Sequence, residues 1–154
     1  QGVSSAASDV YKRQVELYLN EAQQKVTIHK PQEKLYVFSD RSQLLRVCNN
    51  LLENARHAIL DKENGKIEVT LKTTNHDAVI AIHDNGNGIP HDVAKKIFQP
   101  YFTTKTSGTG LGLAMTRKII EFWKGEIWFD TEEGTGTTFF IKLPLVKQGT
   151  EPTI

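Results

Sequence analysis

Residues 78–90, "AVIAIHDNGNGIP", set a strand, a carboxylate and two glycines one after another. Ala78, Val79, Ile80, Ala81 and Ile82 are apolar at successive positions, the composition of a central strand of a sheet. The strand ends at Asp84, with His83 inside it, and Gly86 and Gly88 follow at once. A carboxylate at the end of a buried strand lies on the floor of a cleft. Adenine offers a donor at N6 that a carboxylate accepts, whereas guanine presents an acceptor there and is repelled. The glycines let backbone and ligand approach closely. By itself D-x-G-x-G fits a plain Asn-Gly turn equally well.

On either side of this strand the pattern alternates between sheet and helix. "KIEVTLKT" (66–73) places Ile67, Val69 and Leu71 at every second position, a strand with one buried face. The turn signal Asn64-Gly65 precedes it. Asp40 to Gln43 fits a capping box with Asp as the cap, and Leu44, Cys48, Leu51, Ala55 and Ala58 follow at helical spacing. "KVTIHK" (25–30) and "KLYVFS" (34–39) read as short strands around Pro31, and residues 15–22 as the end of a helix. Downstream come a short helix over 91–98, a polar segment over 99–109, and a long helix over 110–123 stopped near Gly125. "EIWFDT" (126–131) and "TTFFIKLP" (137–144) form a hairpin around Glu133-Gly134. Strands and helices mixed in this way predict an α/β two-layer sandwich, a sheet covered on one face by helices.

The length of 154 residues fits one domain with a real core. Charged residues make up 24% and hydrophobic ones 38%, the balance of a soluble globular protein. A formal charge of +1 gives no ground for expecting a nucleic-acid partner or direct membrane contact. The single cysteine, Cys48, excludes an intrachain disulfide and a Cys-based zinc site, and fits a reducing, cytoplasmic compartment. No apolar run reaches the length of a membrane span, whether or not a longer parent is anchored. "VSSAASDVYKRQ" (3–14) resembles translated sequencing-adapter read-through. Residues 1–14 are therefore expected to be a non-native or disordered leader, 15–146 the domain, and 147–154 a flexible tail.

Two further stretches carry chemistry. In "NNLLENARHAI" (49–59), Asn50 and Asn54 share one helix face with Glu53 beside them. Carboxamide oxygens are hard ligands suited to Mg²⁺ that keeps waters and phosphate oxygens, although an Asn-rich face taken alone is as a rule solvated. In "IFQPYFTTKTSGTGLGLAM" (97–115), Gly108, Gly110 and Gly112 run into a helix start, where free N–H groups and the helix dipole favour an anion. Their spacing matches neither the P-loop nor the dinucleotide fingerprint. Lys105 is near enough in sequence to add charge to a terminal phosphate, and Phe98 and Phe102 are placed to anchor the segment's base.

Taken in order, Asn50-x-x-Glu53-Asn54-Ala55, Asp84-x-Gly86-x-Gly88, Phe98-x-Pro100-x-Phe102 and Gly108-x-Gly110-x-Gly112 closely resemble four boxes of sensor histidine kinases: N, first-glycine, F and second-glycine. The fold family also holds the ATPase domains of gyrase B, Hsp90 and MutL. "GTGTTFFIKLP" (134–144) resembles the closing strand, and the likeness runs from about residue 15 to 144. It implies the Bergerat ATP-binding fold, an α+β sandwich with a mixed, mostly antiparallel sheet. It further implies ATP and Mg²⁺ as cofactors, with Asp84 on adenine and Asn54, supported by Asn50, on the metal. Gly110 and Gly112 would shape the phosphate lid, with Gly86, Gly88, Ile89, Phe102, Thr103, Thr104, Lys105, Gly108, Thr109, Leu111 and Thr137 completing the ATP site. Glu53 matches the acidic residue proposed to assist proton removal from the accepting histidine. A structural role, or one polarising the metal through water, fits it equally well.

The chain departs from this pattern in two places. Where many such kinases have Lys-Tyr after the N box, it has His57-Ala58. His57 brings charge to a phosphate only when protonated, and Lys105 or Arg56 are the candidate substitutes. Such variation occurs in the nitrogen-regulation-like branch, which "IFQPYFTTKTSGTGLGL" (97–113) also resembles. Secondly, none of His29, His57, His76, His83 and His91 sits in an acidic context on a long N-terminal helix. The resemblance therefore implies a kinase catalytic domain whose acceptor histidine lies on a separate dimerisation domain, with a response regulator downstream. The alternatives are an anti-sigma-type serine kinase of the same fold and a nucleotide-binding module without transfer activity.

Overall fold

The computed structural model of the protein describes residues 3–4, 25–103 and 112–147. Its strands are β1 (Val3–Ser4), β2 (Lys25–His29), β3 (Val37–Phe38), β4 (Lys66–Thr74), β5 (Asp77–Asp84), β6 (Glu126–Glu132) and β7 (Gly136–Pro144). Its helices are α1 (Arg41–Ala58), α2 (His91–Ala94) and α3 (Gly112–Phe122). Five strands form one sheet in the order β2-β4-β5-β7-β6. The β2–β4 pair is parallel and every other pair is antiparallel, so the sheet is mixed and mostly antiparallel as expected. The parallel pair is reached through a crossover containing α1, because parallel neighbours need a long connection.

Strand β5 is central, and its register explains both core and site. Ile67, Val69 and Leu71 of β4 stand opposite Asp84, Ile82 and Ile80, which in turn stand opposite Thr137, Phe139 and Ile141 of β7. Period two puts all of these on one face of the sheet. Most of that face is apolar and buried, and its last row, Asp84 and Thr137, is polar and buried. Helix α1 lays Leu44, Val47, Cys48, Leu51, Leu52 and Ala55 onto this face, against β5 and β7. Helix α3 packs against α1 and β6. The opposite face is more open, with Trp128 stacked on Phe140 at 5.1 Å between centroids.

Helix α1 begins where its cap predicts. Asp40 accepts from Gln43 N at 3.0 Å, and Ser42 Oγ donates to the same carboxylate oxygen at 2.5 Å. These two bonds hold the Asp40 carboxyl below its ordinary pKa. The reciprocal half of the capping box does not form, since Gln43 Oε1 is buried without a hydrogen-bond partner. Two expected elements are shorter than read. "KLYVFS" contributes only Val37–Phe38, paired with Val3–Ser4 outside the main sheet, because the chain must turn at once into the Asp40 cap. The short helix stops at Ala94 and continues in i→i−3 turns (Lys96 N to Val93 O, Gln99 N to Lys96 O). It has no side-chain cap, and Pro100 disfavours a helical Gln99. The described part of the second long helix starts at Gly112.

Helix α3 ends in a Schellman arrangement, with Gly125 N bonded to Ile120 O at 2.9 Å and Lys124 N to Glu121 O at 3.0 Å. No helix among the described residues is long and apolar enough to cross a membrane. The sequence expectations for residues 15–22, the leader apart from Val3–Ser4, and the tail from 148 onward lie outside the described residues.

Candidate active site

The end of β5 is the floor of the site. Asp84 is 3% exposed and accepts from Gly86 N at 2.9 Å. Burial raises its pKa, against smaller opposing effects from the Gly86 N–H, His83, the Thr137 N–H and Lys62. A buried carboxylate held in this way gains from a ligand that brings a hydrogen-bond donor. Gly86 has no room for a side chain, since a Cβ would fall 2.4 Å from Ala58 O at the end of α1. Gly88 has φ +71 and would meet Glu132 O at 2.3 Å, so its conformation and its close approach to β6 both demand glycine.

A hydroxyl pair secures the loop after Asp84. Thr131 and Thr137 are hydrogen-bonded at 2.8 Å, and Ile89 N donates to Thr131 Oγ1 at 2.8 Å. Gly134 N reaches back to Asn87 O at 2.7 Å, so the β6–β7 turn and the glycine loop hold one another. Asn85 fixes the other side. Its Oδ1 accepts from Lys66 N at 2.7 Å, its Nδ2 donates to Asn64 O at 2.9 Å, and Lys62 Nζ donates to its carbonyl.

Helix α1 forms one wall. Asn50, Glu53 and Asn54 are half-buried on it, as is His57. Glu53 Oε1 lies 2.8 Å from Arg56 Nη2 and 3.5 Å from His57 Nδ1, and His57 Nδ1 is 2.9 Å from the Glu53 carbonyl. His57 is therefore turned back along its own helix. Asn50 Nδ2 donates to Thr116 Oγ1 of α3 at 2.9 Å. Asn50, Glu53, Gly112 and Thr116 line a groove of roughly 560 Å³ between the two helices. Phe98 packs on Phe129 at 5.9 Å, with the Arg117 guanidinium 5.4 Å above its ring. Phe102 is half-buried and Thr103 exposed. Thr104, Lys105, Gly108, Thr109, Gly110 and Leu111 lie outside the described residues.

The structure thus brings Asp84, Gly86, Gly88, Ile89 and Thr137 together at the strand ends, and Asn50, Glu53, Asn54 and His57 together on α1. Thr131, Asn85 and Thr116 join them in the hydrogen-bond pattern, beyond the residues expected from the sequence. Asn85 has a local signal, its place before Gly86 in an Asn-Gly pair. Thr116 and Thr131 have none, because their partners are distant in sequence or sit across a strand pair.

A five-stranded mixed sheet with helices on one face, ending in a buried carboxylate and glycine-rich loops, defines the class of nucleotide-binding sandwiches. Within it, this chain belongs to the histidine kinase-, DNA gyrase B-, and HSP90-like ATPase family, whose pattern matches residues 39–147. It is 43% identical over 116 residues to sporulation kinase E of Bacillus subtilis, covering 75% of this chain and 15% of that protein. It is 44% identical over 114 residues to the signal transduction histidine-protein kinase AtoS of Escherichia coli, covering 73% of this chain and 18% of that one. Among solved structures, the nucleotide-free catalytic domain of histidine kinase ThkA superposes with a TM-score of 0.80 at 32% identity, covering 94% of this chain and 96% of that one. The chain has the fold of a histidine kinase catalytic domain and spans less than a fifth of the length of these two curated relatives.

Proposed function

We propose that the domain binds Mg·ATP and delivers its γ-phosphoryl group to a histidine on a dimerisation domain of a longer parent, which passes it to a response regulator. The observation that carries this reading is Asp84, a buried carboxylate at the end of the central strand, held by the N–H of the glycine-bearing loop that follows it. Asp84 accepts from the adenine N6 amine, and Thr137 and Ile89 frame the base. Gly86 and Gly88 let the loop after Asp84 pack against Ala58 of α1 and Glu132 of β6, which shapes the strand ends around the base. Phe102 and Thr103 lead into the segment where Thr104, Lys105, Gly108, Thr109, Gly110 and Leu111 meet the phosphates, and Gly112 opens the helix behind them.

The donor set suits Mg²⁺, because Asn50 and Asn54 offer hard carboxamide oxygens one turn apart on α1. Bound there, Mg²⁺ would neutralise phosphate charge as the phosphoryl group leaves. Glu53 stands on the same helix to take a proton from the incoming imidazole, or to polarise the metal through water. Its ion pair with Arg56 is no obstacle, since a partly exposed pair contributes about 0–1 kcal/mol and opens readily. Most of the catalysis is positioning and charge stabilisation. A cytoplasmic location for the domain accords with ATP supply and with the buried, reduced Cys48.

Titration calorimetry with ATP and GTP in Mg²⁺ tests the site. ATP is expected to bind more tightly than GTP. Asp84→Asn loses a charge-assisted bond of about 1.5–3 kcal/mol, roughly 10- to 100-fold in affinity. Equal affinity for the two nucleotides would refute the assignment of Asp84. Incubation with labelled ATP and a supplied dimerisation domain should yield an acid-labile phosphohistidine; acid-stable phosphoserine on a protein substrate would favour the serine-kinase alternative.

A further inference from the structure

Helices α1 and α3 are joined by a relay of two hydrogen bonds. Asn50 Nδ2 donates to Thr116 Oγ1 at 2.9 Å, and Thr116 Oγ1 donates to Gly112 O, one turn back, at 2.8 Å. Thr116 is 3% exposed, so water does not compete freely for either bond. A threonine hydroxyl has a single proton. With that proton on the Gly112 carbonyl, Thr116 can only accept from Asn50, and the carboxamide must face it with its NH₂ end. The relay therefore decides the orientation of an amide whose two ends are nearly equal in shape.

The other end of that amide lies against the first turn of α3. A Cβ on Gly112 would fall 2.6 Å from Asn50 Oδ1 and 3.1 Å from Nδ2, so the carboxamide fills the space that a side chain would take. Asn50 Oδ1 is thus the polar atom presented where α1 meets the Gly112 turn, at the groove that Glu53 also lines. An oxygen there attracts a cation and repels a phosphate oxygen, whereas the NH₂ group would do the reverse.

We propose that Thr116 is a positioning residue for Asn50: by accepting from Asn50 Nδ2 it holds Oδ1 on the Gly112 side, at the groove that Glu53 lines, so that the amide offers an oxygen there to a metal and not an NH₂ group to the phosphates. This rests on the Mg·ATP reading above. Thr116→Val keeps the shape and removes the acceptor. Without it nothing in the relay keeps the amide oxygen on the Gly112 side.

The test is ATP affinity of the chain by calorimetry in Mg²⁺ and again in EDTA, for wild type, Thr116→Val, Thr116→Ala and Thr116→Ser, with thermal melts to confirm folding. Thr116→Val and Thr116→Ala should lose roughly 3- to 10-fold in Mg²⁺, the weight of one neutral hydrogen bond, and nothing in EDTA. Thr116→Ser should restore the wild-type difference between the two conditions. An equal loss in both conditions, or none in either, overturns the proposal. A second measurement needs neither nucleotide nor metal: the Asn50 side-chain NH₂ signals of the apo chain in NMR. They should be dispersed in wild type and Thr116→Ser and collapse toward free-amide positions in Thr116→Val; unchanged signals in the valine variant would overturn it. Failure of the wild-type chain to bind ATP at all would instead remove the nucleotide reading, and the Asn50 signals would still report on the relay.

Discussion

Asp84 is a buried carboxylate whose charge works against the fold. Burial raises its pKa, so the folded state binds a proton more readily than the unfolded chain does. At neutral pH the ionised carboxylate therefore opposes folding. The penalty is relieved as pH falls through the raised folded-state pKa and is gone below the unfolded one. Asp84→Asn should raise the melting temperature of the nucleotide-free chain near pH 7, while the gap to wild type narrows on acidification. Melts of both proteins between about pH 4 and 8 check this, and a gap that does not vary with pH would argue against it. Asp84 was legible in the sequence because its meaning is local, an acid that ends an apolar run and precedes glycines. The placement of Asn50, Glu53 and Asn54 along one helix was legible in the same way, through helical spacing. Thr116 was not. A threonine inside a helix ordinarily bonds back to its own i−4 carbonyl, which Thr116 does. Only the fold brings Asn50, 66 residues away, within reach of the same oxygen.

The end of α3 separates what a helix needs from what its neighbours allow. A helix that stops in the left-handed conformation usually places glycine at that residue. Here the residue is Lys124, with φ +62, and the glycine comes one position later. The reason lies in the sheet, because a Cβ on Gly125 would fall 2.4 Å from Lys142 O of β7 and 2.7 Å from Leu143 Cδ2. Gly125 is reserved for that approach, and Lys124 carries the strained backbone. Lys124→Gly should stabilise the domain by about 1 kcal/mol, the left-handed penalty of about 1–2 kcal/mol less the extra chain entropy of glycine. Chemical denaturation measures it, and a destabilised variant would contradict the account. The sequence located this helix end correctly but could not assign the glycine's task, since that task is contact with a strand still to come. "KLYVFS" failed in a related way. Its alternation is genuine, with Leu35 and Val37 buried, yet the nearby Asp40 cap leaves too little chain for a full strand in the main sheet.

Core and site occupy the same face of the same sheet. Along β7 the inward residues are Thr137, Phe139, Ile141 and Leu143, and along β5 they are Asp84, Ile82, Ile80 and Ala78. The apolar rows pack against α1, and the row at one end, Asp84 and Thr137, is polar and buried. The register that packs Ile141 between Ile80 and Ile127 also sets Thr137 beside Asp84 and Thr131. A slip of one residue would turn every one of these side chains to the other face. Stability and binding should nevertheless respond separately to substitutions within the strand. Ile141 is fully buried, and its position is roughly 13 Å along the strand from Thr137, four residues at about 3.3 Å each. Ile141→Ala should lower the unfolding free energy by about 2–5 kcal/mol through lost burial and an unfilled cavity. The ATP affinity of the molecules that remain folded should not change, because the hydrogen bonds that set the polar row, among them Thr131 to Thr137 and Asp84 to Gly86, lie beyond the cavity. Denaturation curves read together with calorimetry below the unfolding transition test both halves. If affinity falls in the folded population as well, the cavity has reached the strand ends, and core and site form a single mechanical unit.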